Sequence, residues 1–503
     1  MATIIGNKLV SDSIVFYVDF SNRKCFPQNI LNYSSWTVGS GTIQTDITKS
    51  GVTYYNQTSG DLSENLRVLS NDPFGYTNSV VWKSSSKDGV TPNDSTHGDG
   101  GYDSGTFRVD SDMKYRFSIW TKRDSMTVGS ASGQFYLGFF SLDAEANTLP
   151  VKPKSGLLNI GANPYFHVVP SSIPTSSTTS EVSPPFLGGI DTWTLVVGHV
   201  WEKNSEIKSI LPGTNINNLP SNGDHPDSGV WTKTSGKIGN LSPIGDWIWN
   251  EDTILSLHRS YLFYSADTMA TQSFIYPRVD IIDGFEPTIK ELLSGPEPIR
   301  DLSPNLNVIY PYSTTSLDLQ KKGLVFSGVE SEIVGGPISK TFSINSLSIW
   351  FQPKTTIDSS TNGQTLVQFG NSNQQPLTIL LGSHSNDLTN EVISINWNDN
   401  RYTCATSSIT LSSDVWYNLV INWSGISYQL YLNGVLQTSF SGGVDHAPLK
   451  QSVAYISIGG SKFTSSTGRY FQGKIGSIIT YGRELTDAEI LSNYRTMSVK
   501  YIN

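Results

Sequence analysis

Along most of the chain the hydrophobic positions recur with the short period of a strand, and helical spacing is rare. Ser13–Asp19 (SIVFYVD) is an apolar run of buried-strand length, and Lys114–Trp120 (KYRFSIW) alternates apolar with polar. Gln134–Phe140, Trp193–Trp201 and Ile254–Tyr264 repeat the pattern. The last 200 or so residues add Gly323–Phe326, Ser346–Phe351, Thr365–Phe369, Leu377–Leu381, Glu391–Trp397, Trp416–Trp423, Tyr428–Leu432, Ala454–Ile458 and Lys474–Tyr481. Asn433-Gly434 between two apolar strands predicts a two-residue hairpin turn, because both residues tolerate positive φ. Helical spacing appears in Leu485–Tyr494, with Thr486 as N-cap and Glu489 completing a capping box. Leu485, Ile490, Leu491 and Tyr494 form its apolar stripe. A second short helix is predicted over Glu286–Leu293, with Pro287 in the first turn. Ser171–Pro185, rich in Ser, Thr and Pro, and the stretch from Lys290 to Pro304 read as loops or linkers.

Composition agrees with strands and turns: 11% of residues are aromatic, only 15% are charged, and there are 44 glycines. At 503 residues the chain exceeds what one core supports, so two or three domains are expected. The net charge of -9, with no basic cluster, speaks against nucleic-acid binding. No apolar run reaches bilayer length, so no membrane insertion is expected. Met1–Val10 lacks the charged-then-apolar pattern of a signal peptide. The two cysteines, Cys25 and Cys404, are expected as free thiols in a protein made in a cytoplasm.

From Phe342 to Tyr494 the chain resembles the laminin-G-like, concanavalin-A-like family, and the matching segments arrive in that family's order. They are FSINSLSIWFQP (Phe342–Pro353), Asp414-Val-Trp416 with YNLVINW, YQLYLNGVLQ (Tyr428–Gln437), ISIGG (Ile456–Gly460) and FQGKIGSIITYGRELTDAEILSNY (Phe471–Tyr494). KKGLVFSGVESEIVG (Lys321–Gly335) resembles its opening strand pair. DLSPNLNVIYPY (Asp301–Tyr312) and LVSDSIVFYVDFSNRKCFP (Leu9–Pro27) resemble two halves of one opening found in phage members of the family. Their separation implies a split sandwich, residues 1–28 and 295–503, with residues 29–294 inserted. Within the insertion NILNYSSWTVGSG, YRFSIWTKRD, DTWTLVVGHVWEK and FIYPRVDIIDGFEPTI resemble jelly-roll carbohydrate-binding modules. The resemblance thus implies an all-β fold of antiparallel jelly-roll sandwiches with one short C-terminal helix, set over an open end of the sandwich.

Chemistry is sparse. The E-x-D-x-x-E string of lectin-fold glucanases does not occur, none of the seven histidines forms H-x-x-x-H or H-E-x-x-H, and there is no G-x-S-x-G or phosphate-binding loop. The expectation is a non-enzyme. Calcium fits the family, and the loops Asn93–Asp103 and Asp224–Asp227 are rich in oxygen ligands, but the same residues are ordinary turn formers. Otherwise no cofactor is expected. For sugar binding the candidates are Trp247 and Trp249, two apart on one face of an extended chain, supported by Asp103 and Asp227. Trp350, Trp397, Trp416 and Trp423 lie inside strand patterns and read as structural. The resemblance implies a bacteriophage virion protein of structure or adhesion, its partners other virion proteins and host-surface glycans. It allows a homo-oligomer, which no coiled-coil heptad supports. Two alternatives stand beside it: a secreted bacterial lectin or accessory module of a polysaccharide-degrading enzyme, and a capsid or tail decoration protein without a ligand.

Overall fold

The computed structural model describes residues 9–27, 29–31, 33, 36–41, 43–44, 54–57, 62–86, 100–126, 134–155, 164–166, 168–170, 190–207, 225–241, 245–263, 267–311, 319–320, 322–329, 333–358, 361, 363–370, 377–382, 392–397, 400–404, 409–424, 427–441, 453–460 and 469–502. The loop Ser171–Pro185, the residues Asp99 and Asp224, most of the Asn93–Asp103 loop and the side chains of Trp397 and Cys404 lie outside these. The chain forms two compact units, Met1–Pro27 with Glu297–Asn503, and Gln28–Pro296. Nearly all of the regular structure is antiparallel strand. No helix among the described residues is long and apolar enough to cross a membrane.

The first unit packs two sheets around an aliphatic core, each of eight strands among the described residues. One contains Gln472–Tyr481, with Ser346–Pro353 on one side. Along its other side lie Ile14–Asp19 and Gly323–Ser327, end to end. The first strand of the chain is therefore seated against the last. Asp301 fixes it there: its carboxylate accepts the Tyr17 amide at 2.9 Å and the Ser303 amide at 2.8 Å. Asn305 adds a bond to the Val15 carbonyl at 2.7 Å. The buried Cys25 thiol is free, accepts the Asp19 amide at 3.2 Å, and is pushed up by burial.

Asn433 and Gly434 take φ of 53° and 77°, the positive values the two-residue turn demands. Gly473, at φ 148°, lets its strand approach Gln352, whose carbonyl a Cβ would meet at 2.1 Å. The terminal helix, Asp487–Tyr501, has the expected capping box of Thr486 and Glu489 and runs past Tyr494. It does not cover an open end of the sandwich. Leu347, Ile349 and Phe351 point into the main core, so Trp350 between them points out, and Tyr501 stacks on it at 4.7 Å. The helix thus lies on the outer face of the sheet. Trp416 joins it there, 4.7 Å from Tyr501, one residue before its strand begins.

The second unit pairs an eleven-stranded sheet with a six-stranded one, among the described residues, around a core rich in aromatic rings. Tyr115–Ser125 lies near the middle of the larger sheet, between Thr194–Trp201 and Thr271–Ile281. The chain enters and leaves this unit side by side, the Ile30 amide bonding the Val279 carbonyl at 3.0 Å. In the first unit the Arg300 amide likewise bonds the Cys25 carbonyl at 2.7 Å. The short helix Ile289–Ser294 is capped by Thr288 and Glu291, so Pro287 precedes the cap and is not in the first turn.

Candidate functional site

Trp247 and Trp249 share a face, but it is the inner one. Each is only 2% exposed. Trp247 opens the short strand Trp247–Ile248, which pairs with both Lys152–Pro153 and Thr194–Trp201, and Trp249 follows it, its amide on the Trp201 carbonyl. The Trp247 indole donates to the Tyr165 carbonyl at 3.0 Å, and Trp249 meets Phe139 edge-on at 5.2 Å. Neither ring can carry a sugar; both are core. Asp103 is equally committed, gripped by Arg259 through Nε at 2.8 Å and Nη2 at 3.0 Å. Of the four anticipated residues only Asp227 stands at an aromatic surface, its side chain 37% exposed.

That surface is the outer face of the eleven-stranded sheet. Gly198 faces inward, since a Cβ there would strike the Phe166 ring at 2.1 Å. By alternation Trp193, Leu195 and Val197 share the opposite face. Leu195 is directly opposite Trp120 on one neighbouring strand and Trp231 on the other, so the three stand in a row across the sheet. Trp193 flanks this row, and Phe74 closes on it, 5.5 Å edge-on from Trp120. Trp120, Leu195 and Val197 are buried, whereas Trp193, Trp231 and Phe74 are half-buried against the core. Both half-buried indoles have their N–H groups engaged, Trp231 on the Asp227 carbonyl at 2.9 Å and Trp193 on the Asn71 carbonyl at 3.2 Å. The rings are therefore fixed in orientation while part of each meets water.

One loop sets this face. Asp72 accepts the amides of Phe74 at 2.9 Å and Tyr76 at 2.8 Å, and the Tyr276 hydroxyl at 2.5 Å. Tyr276 adopts φ 55° at a bulge in Thr271–Ile281, which brings its ring to Phe74 and Tyr33. The carbonyls on either side of Asp72 hold the platform, Asn71 taking Trp193 and Pro73 taking Lys233 Nζ at 3.0 Å.

Two clusters gather polar and titratable side chains. Asp246 is fully buried and accepts the amides of His199 at 2.9 Å and His225 at 2.6 Å, together with the Ser228 hydroxyl at 2.7 Å. Since Ser228 gives its one proton to Asp246, the His199 Nδ1–H must donate to Ser228, at 2.7 Å. Serine stands between histidine and aspartate, so the imidazole has no carboxylate to orient it as a base for that hydroxyl. Burial and the neighbouring His225 hold His199 far below its ordinary pKa, and its Nε2 meets no hydrogen-bond partner among the described residues. Arg116 and Arg278 grip Asp280 nearby; burial alone would raise that carboxyl, but the two guanidiniums hold it low.

The second cluster lines a cleft of ≈ 500 Å³ with Asp110, Asp143, Glu145, Glu251 and Asp252. Asp143 is occupied by its own turn, accepting the amides of Glu145 and Asn147. No group of three metal-binding side chains is placed to hold an ion among the described residues.

Residues 334–491 match the family model described as the concanavalin A-like lectin/glucanases superfamily. No curated protein matches the chain. Among solved structures it is similar to domain 4 of AbnA, an extracellular arabinanase of Geobacillus stearothermophilus, in complex with arabinotriose: 15% identity over 39% of this chain and 92% of that one, TM-score 0.30. It is similar also to the sialidase module CBM40 of Ruminococcus gnavus bound to sialyllactose: 18% identity, 35% and 97% covered, TM-score 0.25. A third is botulinum neurotoxin type C, described as depending on two ganglioside molecules for cell entry: 14% identity, 41% and 50% covered, TM-score 0.30, so the match spans half of that chain.

Proposed function

We propose that this protein is a non-catalytic adhesion component of a phage particle, and that the outer aromatic face of its second unit binds a surface glycan. The observation that carries the reading is the set of half-buried, oriented rings Trp193, Trp231 and Phe74, which lie over the buried Trp120 and Leu195. Flat, oriented, half-covered indoles match the apolar face of a pyranose and lose little entropy on binding. Asp227 at the rim offers oxygens to sugar hydroxyls. The lectin-type match at residues 334–491 lies in the other unit and names no ligand by itself, because fold does not imply function. The phage assignment rests on the opening segments Leu9–Pro27 and Asp301–Tyr312, which the Asp301–Tyr17 bond brings together. Single sites of this kind are weak, and repeated copies on a particle would raise avidity.

The test is a glycan array probed with the full chain and with the double variant Trp193→Ala, Trp231→Ala, alongside adsorption of particles carrying each. Binding and adsorption lost together at a retained melting transition support the reading. Wild-type protein that binds no glycan on a broad array, yet still assembles into particles, would make it a decoration protein.

A further inference from the structure

Resting on that reading of the aromatic face, we infer that its ligand is an anionic sugar and that Lys233 is the cation that meets the charge. The protein is acidic overall, at -9, yet three ammonium groups lie against rings of this one face. Lys122 is 5.4 Å from the Trp193 ring, Lys237 is 5.7 Å from Trp231 and Lys233 is 5.1 Å from Phe74. They are not equivalent. Lys122 is neutralised by Asp191 at 2.6 Å and Asp124 at 3.2 Å. Lys237 also meets a carbonyl, that of Pro226 at 3.1 Å, but it lies across the hairpin from Trp231 and has no tie to the Asp72 loop that holds Phe74. Lys233 is exposed and donates to the Pro73 carbonyl at 3.0 Å, with no carboxylate within ion-pair distance among the described residues. A carbonyl and a ring face steer an ammonium without cancelling its charge, and two of its three donors remain for a ligand. The Asp72 loop that holds Phe74 also supplies the Pro73 carbonyl, so cation and platform are set by one element.

The charge is also placed directionally. Asp227 precedes the strand Gly229–Thr232 and Lys233 follows it. A sugar lying along Trp231 would turn its carboxylate or sulfate toward Lys233 and its hydroxyls toward Asp227. A neutral glycan would make no use of this asymmetry.

The test uses the intact chain in titration calorimetry. The probes are sialyllactose and 3′-sulfolactose against lactose, and oligogalacturonate against its carboxyl-reduced form. The expected result is that at least one charged probe binds about ten-fold tighter than its neutral counterpart. That preference should vanish in Lys233→Gln, persist in Lys233→Arg and weaken with added salt, while Trp231→Ala loses charged and neutral probes alike. The carboxylate and sulfate arms show which anion is taken. Equal affinity for charged and neutral probes would overturn the inference and leave the glycan platform standing. A preference that survives Lys233→Gln would overturn the role of Lys233. Wild-type protein that binds no probe in either state would remove platform and inference together.

Discussion

The two units bury different chemistry. The main core of the first is built largely from Ile, Leu, Val and Phe, and Trp423 is its one tryptophan among the described residues. The core of the second holds Trp36, Trp82, Trp120, Trp247 and Trp249, with Tyr33, Tyr102, Tyr115 and Tyr276. It also encloses His199, His258, Arg116 and Asp280, each at most 2% exposed. Aliphatic side chains are held by area and shape alone, and they leave the surface free of consequence. Indoles, phenols and imidazoles each bring a polar atom that must be placed, so the second unit depends on directional bonds and on protonation state. Where its rings reach the surface they arrive already oriented, which is the ground for proposing a recognition face there.

Acid is the strongest way to break the symmetry between them. Burial lowers His258 to about 3 and holds His199 well below its ordinary 6.5. Both are neutral in the folded protein and recover their ordinary affinity for a proton on unfolding. Their contribution is therefore complete above about 6.5 and is lost as pH falls toward 3. His258 alone removes about 1.4 kcal/mol per pH unit over this window, about 3 kcal/mol by about pH 4.5, and His199 shifts stability in the same direction. The first unit has no histidine among its described residues. Two separate calorimetric transitions, the lower one assigned by hydrogen exchange to Gln28–Pro296 and shifting with acid, are expected; parallel shifts of both would contradict the comparison.

Trp247→Ala comes next. It should cost the second unit about 3–5 kcal/mol, and the first unit's transition should stay in place. Gly434→Val is the counterpart in the first unit. The residue has φ 77°, and a Cβ would lie 3.1 Å from the Tyr494 ring. A loss of about 1–3 kcal/mol, confined to the first transition, is expected in thermal unfolding. The smallest effect on stability belongs to Trp193→Ala, about 1 kcal/mol, because the ring is half-buried and keeps one bond to the Asn71 carbonyl. Its effect on glycan binding should be far larger, and equal losses in both would return Trp193 to the core.

Strands were legible wherever alternation or apolar runs were strong. Leu377–Leu381 matches the sequence reading to the residue, and Gln134–Leu142 extends its reading by two residues at one end. The capping box at Thr486 was equally local and equally plain. The site was not legible in the same way. Trp247 and Trp249 sit beside a turn, where sequence suggests exposure, and only their tertiary neighbours Tyr165 and Phe139 show that the shared face is inward. Trp193–Trp201 reads as one more alternating strand, with no mark of which face is left open, and Trp231 lies outside every predicted strand. A signal was present in GVWTKTSGKI, where Trp231 alternates with Lys233 and faces Lys237 across a hairpin. Reading it as an open face required Gly198, whose packing against Phe166 sets the inside of the sheet.

The seating of Ile14–Asp19 against Gln472–Tyr481 has a consequence for how the protein is made. On the ribosome the first strand must wait unpaired until nearly the whole chain has emerged. Closing so long a loop costs about 0.6 kcal/mol for each doubling of its length. A second unit that folds first brings its ends together through the Ile30–Val279 bond and turns that long loop into a short one. Ribosomes stalled once Pro296 has cleared the exit tunnel should therefore carry a protease-resistant core of residues 28–296 while the Ile14–Asp19 segment is still cleaved, and protection of that segment should appear only once Gln472–Tyr481 is free of the tunnel.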